Sequence, residues 1–399
     1  MRTATTVEAS GGEHWSEQTD FVVEAEKLGL DVCWVAEAWG SDAPSALGYY
    51  AALTDRMLLG SGVIQVGTRT PTAVAQTAIT LSNLSGGRFL LGLGASGPQV
   101  IEGLHGVPFA RPLRRVRETV DIVRQVFAGG KLSYSGAEFS IPLPGSEGVP
   151  MRLSMRAEHE IPVYLASLSP AMLELTGEVA DGWLGTSFVP EGAADAYFAH
   201  LDNGLARTGR TRSELDVCQG AEVAFAPDED ALGAMTAERK KELAFSLGGM
   251  GTASTNFYNN AYSRQGWAEV AAEVRERWQA GDRDGAARLV TDDMVLGTTL
   301  IGTESMVRRR LEVWRDAGVD TVRLYPAGQT VRERLDTLAR AIELVREVGD
   351  AGYGATGRHR GKDAGSRPGP GSRADVTWPR GRVPGSPRRR PVRPSRGGR

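Results

Sequence analysis

Short apolar runs alternate with amphipathic stretches along most of the chain. The runs fall at residues 3–8, 31–36, 58–65, 89–93, 162–166, 182–185, 215–225 and 321–325. Their length and bounding glycines read as strands buried on both faces, the mark of a parallel sheet. Between them, apolar residues recur at helical spacing, as at Phe21, Val22, Ala25 and Leu28. This spacing predicts helices over 16–28, 44–53, 71–84, 112–127, 170–179, 193–208, 304–317 and 331–348. Proline sits at or near the start of several, where the missing N–H costs nothing. A hairpin-like excursion covers 131–155. The rhythm breaks at about 226–300, where helical patterns over 231–247 and 267–289 flank a stretch rich in Gly and Asn.

Eight strands, most followed by a helix, predict an α/β fold, a (β/α)8 TIM barrel with insertions. A doubly wound sheet is the main structural competitor. The pivotal stretch is 86–97, where Phe89, Leu90, Leu91 and Leu93 run into the turn Gly94, Ala95, Ser96, Gly97. Gly92, Gly94 and Gly97 spell a dinucleotide fingerprint, but Pro98 and a loop-like segment follow where a helix and a second strand are required. The turn instead suits close approach of an anionic group to backbone N–H groups.

Composition changes this picture in two places. Hydrophobic residues make up 41% and charged residues 24% of 399, which fits a water-soluble protein with a large core. No apolar run is long enough to span a bilayer, and residues 1–7 lack the centre of a signal peptide, so a cytoplasmic location is expected. Cys33 and Cys218 lie in apolar surroundings and read as reduced core residues. Five scattered histidines and no Cys/His cluster give no metal site. The net charge of −3 hides an asymmetry: residues 351–399 carry 13 basic and 2 acidic side chains. The expected organisation is therefore a barrel over 1–350 and a disordered Arg/Pro/Gly-rich tail over 351–399. The tail leaves open a binding protein that attracts nucleic acid, although composition of this kind has little specificity.

In a barrel, chemistry collects in the loops after the strands. Glu37 and Trp39 follow the second strand. The first is a candidate proton or hydrogen-bond partner and the second a wall for an aromatic cofactor. Ser167 and Ser169 stand near a helix start and suit phosphate or an ordinary cap. Arg69, Arg111 and Arg114 are candidates for a polyanionic tail. There is no nucleophile elbow, metal-binding helix or Walker loop. Sparse acid/base residues beside small-residue turns suit an enzyme whose cofactor carries the difficult chemistry.

The ordered segments at 24–37, 62–63, 68–71 and 87–94 resemble the luciferase-like monooxygenase superfamily. The stretches 96–103, 180–183 and 256–259 are similar to its branch using the deazaflavin coenzyme F420, with a pattern resembling methylenetetrahydromethanopterin reductase. The resemblance implies hydride transfer between F420 and a small organic substrate, in a homodimer. It implies a bulge with a non-prolyl cis peptide at Gly62 and Val63 backing the ring. It places phosphate at Ala95, Ser96 and Gly97 and at Ser167 and Leu168, and an acid at Glu37. The alternative within the superfamily is an FMN-dependent monooxygenase. Two departures bear on the chemistry: Glu37-Ala38 stands where several relatives have Asp-His, and Pro98 where sugar-phosphate dehydrogenase relatives have a glutamate.

Overall fold

The structure is a computed structural model that describes residues 1–8, 15–252 and 255–355, with side chains through residue 350. Eight parallel strands close on themselves: β1 Arg2–Val7, β2 Val32–Val35, β3 Leu58–Ser61, β4 Phe89–Gly94, β5 Val163–Ala166, β6 Gly182–Gly185, β7 Asp216–Phe225 and β8 Thr321–Pro326. Each pairs with its neighbours in chain order, and β8 returns to β1 with Val322 opposite Thr3. The expected barrel is therefore the fold, and the doubly wound alternative falls because its sheet would have two free edges. Tyr134–Ser135 and Ser140–Ile141 form the antiparallel hairpin of the 131–155 excursion.

The core lies mainly between the strands' outward faces and the helices, where Leu91, Val163, Trp183 and Val217 are fully buried. Inward positions follow the two-residue period. Ala4, Val32, Trp34, Leu90, Tyr164, Leu184 and Cys218 pack together inside the barrel. Below them, Arg2 pairs with Asp216 at 2.6 Å, and Asp216 also accepts from Tyr164 and Thr321. This network closes the barrel's amino end. Both cysteines are free and buried, and burial pushes their thiols up to about 12.

The insertion has its own apolar core, built on Leu243, Leu247, Tyr262, Val274 and Met294. Three features depart from the expected pattern there. The helical reading over 267–289 divides into Ala268–Gln279 and Arg283–Leu289, because Gly281 turns with φ +86° and Asp282 caps the second helix through the Gly285 amide. A helix, Asp292–Thr298, follows. A short strand, Leu300–Gly302, then pairs with Val223, Ala224 and Phe225, extending the sheet beside the far end of β7. At the other end of the chain, the last helix runs to Ala355, past residue 350. The remainder of the basic tail lies outside the described residues.

Candidate active site

The fingerprint glycines have a packing explanation. A Cβ on Gly92 would lie 1.9 Å from the Ser61 carbonyl, and one on Gly94 would lie 2.7 Å from Val63 Cγ2. Side chains at these positions would push β3 and the bulge after it away from β4. The Ser61 hydroxyl bridges the Gly92 amide and carbonyl at 2.9 Å, which fixes the two strands. Beyond Ser61 the Gly62-Val63 peptide bond is cis, and Ile64–Gln65 then resumes pairing with β4. The Gln65 amide donates to the carbonyls of Glu37 and Ala38, at 3.0 and 2.9 Å, anchoring the loop after β2 to this bulge.

Glu37 lies in that loop with its side chain 10% exposed. Arg69 engages both its oxygens, and the Ala43 amide donates to Oε2 at 3.0 Å. The acid thus caps the helix Ala43–Leu53 and neutralises Arg69. Trp39 stands 65% exposed in the same loop. Arg111 is ion-paired to Glu138 at 2.6 Å, and Arg114 is exposed. Of the three arginines considered for an anionic tail, two already face carboxylates.

Ala95, Ser96 and Gly97 cross the mouth after β4. Ser96 adopts φ +62°, and the amides of Ser96 and Gly97 donate to no acceptor among the described residues. After β5, Ser167 is buried. Its hydroxyl pairs with Thr176 Oγ1 at 2.9 Å and its carbonyl accepts from Trp183 Nε1. The hydroxyl is thus turned into the following helix, leaving only backbone to face the mouth. Ser169 opens that helix without a side-chain cap bond.

Sequence reasoning missed Arg264. Its neighbour Gln265 is buried and locks the insertion onto the loop after β6, accepting from the Val189 amide and donating to the Ser187 carbonyl, both at 2.7 Å. Arg264 is thereby held so that Nη2 donates to the Leu168 carbonyl, while its Nε has no partner and no carboxylate pairs with it among the described residues. Also missed were the inward polar positions of β7 and β8. Part of their signal was present: Asp216 and Glu222 in β7 and Thr321, Arg323 and Tyr325 in β8 are polar or charged residues in strands that should be apolar throughout. Glu222 lines a cavity of about 480 Å³ over the ends of β1, β7 and β8, with Glu8, Phe21, Arg239 and Tyr325. Burial pushes the Glu222 carboxyl up, opposed by Arg239 at 3.4 Å. A larger cavity of about 660 Å³ lies outside the barrel beside Met306, and none of the sequence-predicted site residues lines it.

Bulge, open turn and strand-end acid stand together on the carboxyl face, and a family model for luciferase-like monooxygenases matches residues 1–321. The chain belongs to this family. Within it, the chain is 39% identical over 335 residues to Rv3520c of Mycobacterium tuberculosis, a candidate coenzyme F420-dependent oxidoreductase, covering 81% of this chain and 94% of that one. It is 27% identical over 324 residues to the 5,10-methylenetetrahydromethanopterin reductase of Archaeoglobus fulgidus, covering 81% and 93%. The solved coenzyme F420-dependent tetrahydromethanopterin reductase of Methanopyrus kandleri superposes with a TM-score of 0.69 at 22% identity, covering 87% of this chain and 98% of that one. That likeness extends the luciferase-like fold over nearly the whole barrel. Among the described residues, no helix is long and apolar enough to cross a membrane.

Proposed function

We propose that the protein is a coenzyme F420-dependent oxidoreductase transferring a hydride between the deazaflavin and a small organic substrate. The observation that carries this reading is the backbone cradle. The Gly62-Val63 bulge seats on side-chain-free Gly94, and the next turn offers the unpartnered amides of Ser96 and Gly97. Such a cradle fits a flat ring on one side and a phosphate on the other. The relation to a candidate F420-dependent oxidoreductase favours the deazaflavin over FMN.

When bound, the deazaflavin supplies the carbon that gives or takes the hydride. The chain's own part is to bind, orient and exclude water. Val63 would back the ring. Ser96, Gly97 and Leu168 would hold phosphate, with Arg264 supplying a positive charge that no acid among the described residues neutralises. Glu37 would serve as a positioning residue, its carboxylate spent on Arg69 and the helix start, and Trp39 would close over the ring from its exposed loop. The same reading includes a cytoplasmic homodimer. The neighbouring helices Ala43–Leu53 and Pro71–Leu84 expose Tyr49, Leu53 and Leu84, apolar surface that such an interface would cover.

Competitive titration tests the assignment. F420 is expected to bind in the micromolar range or tighter, and more tightly than FMN at moderate salt. Tight FMN binding without measurable F420 affinity would overturn it in favour of an FMN-dependent monooxygenase.

A further inference from the structure

Arg323 is an arginine inside the barrel with no acid to answer it among the described residues. It sits in the middle of β8 and is 6% exposed. Its register partners are Ala4 on β1 and Gly220 on β7, so neither neighbouring strand fills the space its side chain crosses. Nη2 donates to the Gly185 carbonyl at 2.6 Å, while Nε is buried and has no hydrogen-bond partner. The guanidinium lies 5.9 Å from the Tyr325 ring centroid, and Tyr258 of the insertion lies near enough to sense the charge of Arg323.

The nearest interior acids are engaged elsewhere. Asp216 is bound to Arg2, Tyr164 and Thr321 at the amino end, and Glu222 faces Arg239. No carboxylate lies within ion-pair distance of Arg323 among the described residues. A guanidinium cannot shed its proton, and burying one without a counter-ion is costly. A carbonyl and a ring face lessen that cost but leave the charge and an N–H edge unanswered. Sites that hold such a group gain when an oxyanion completes them.

We propose that Arg323 is the recognition group for an organic carboxylate substrate, seated against its guanidinium beside the ring of Tyr325. The proposal rests on the oxidoreductase reading, whose substrate class it names. The cofactor's phosphate is not the anion concerned. In a closed eight-stranded ring β8 stands opposite β4, whose end carries the phosphate cradle. A single charge fits better than a phosphate ester, because Glu222 is the register partner of Tyr325 and would repel a dianion.

The test uses the full chain with three probes matched in shape: benzoate, neutral benzamide and phenyl phosphate. Calorimetry and thermal melting are run on the wild type, R323M and R323K, with F420 titrated in parallel. The wild type should bind benzoate at least tenfold more tightly than benzamide and more tightly than phenyl phosphate. R323M should lose that preference, bind F420 within twofold of wild type, and melt no lower than wild type without ligand, since it removes a buried unpaired charge. R323K, which keeps the charge without the fork, should retain part of the preference and decides the matter if R323M fails to fold. Equal binding of benzoate and benzamide by the wild type, no saturable benzoate binding, tighter phenyl phosphate binding, or a preference unchanged in the variants would overturn the proposal. Arg323-dependent benzoate binding without F420 binding supports it while sinking the cofactor reading, so the two failures are distinguishable.

Discussion

Arg69 engages both carboxylate oxygens of Glu37, and the Ala43 amide shares one of them. The acid that the sequence offers as a proton partner is therefore also the joint between the loop after β2 and two helices. Both side chains are more than three-quarters shielded from solvent. A shielded, bidentate pair loses more when one partner goes than when both do, because the survivor is left charged and unanswered.

E37Q and R69M should accordingly lower stability and F420 affinity together, with a double-mutant coupling of about 1–2 kcal/mol, in the range for groups in one network. Urea melts and F420 titrations of the four proteins measure it. Loss of turnover in E37Q alone, with R69M, stability and affinity all unaffected, would instead make Glu37 the proton donor.

Gly92 and Gly97 belong to one sequence pattern and should behave differently. G92A places a Cβ against the Ser61 carbonyl, a backbone atom that cannot step aside, and should cost about 3 kcal/mol in urea unfolding. Gly97 has φ −135°, open to any residue, and a Cβ there meets only the flexible Gln99 side chain at 3.3 Å. G97A should stay within about 1 kcal/mol of wild type while weakening F420 several-fold. Equal stability of the two variants would remove the packing account of the motif.

The proposed phosphate role of Arg264 can be separated from ring recognition. R264M should weaken F420 binding about tenfold, as expected for one charge-assisted contact, and more at low salt than at high salt. Against a deazaflavin truncated before its phosphate, wild type and R264M should bind alike. A similar loss with both ligands would place Arg264 in the structure of the insertion rather than at the phosphate.

The barrel was legible because its evidence is local and repeated. Each apolar run has a glycine or proline near one end, and each helix its own spacing. The turn at Ala95, Ser96 and Gly97 was legible for the same reason. Arg264 was not, since its importance comes from Gln265 docking the insertion onto a loop some 75 residues earlier in sequence, at Val189 and Ser187. The pairing of Glu37 with Arg69 was equally hidden, although both residues were singled out, because no periodicity links a loop after β2 to one after β3. The interior of β7 and β8 lies between these cases. Asp216 and Glu222 in β7 and alternate polar residues in β8 announced an unusual interior, but only the closed register shows that Arg323 has small neighbours and, among the described residues, no acid partner.

Glu222 supplies a prediction whose sign is fixed by its surroundings. Burial raises its carboxyl above the ordinary glutamate value of 4.5, and the attraction of Arg239 opposes that without reversing it. A carboxyl raised in the folded state favours folding only while protonated. Its contribution is full below the unfolded value and is lost as pH rises through the folded one. E222Q keeps the shape but never ionises. It should therefore melt above wild type at pH 8, the advantage shrinking as pH falls and vanishing below about 4.5, where both side chains are neutral. Arg239 retains Glu242 as a partner in the variant, so its own charge is not stranded. Thermal melts of both proteins between pH 4 and 8 provide the comparison. A variant that melts lower than wild type at pH 8, by a margin that grows with pH, would mean that Arg239 outweighs burial and that Glu222 stands in the cavity as a stabilised carboxylate.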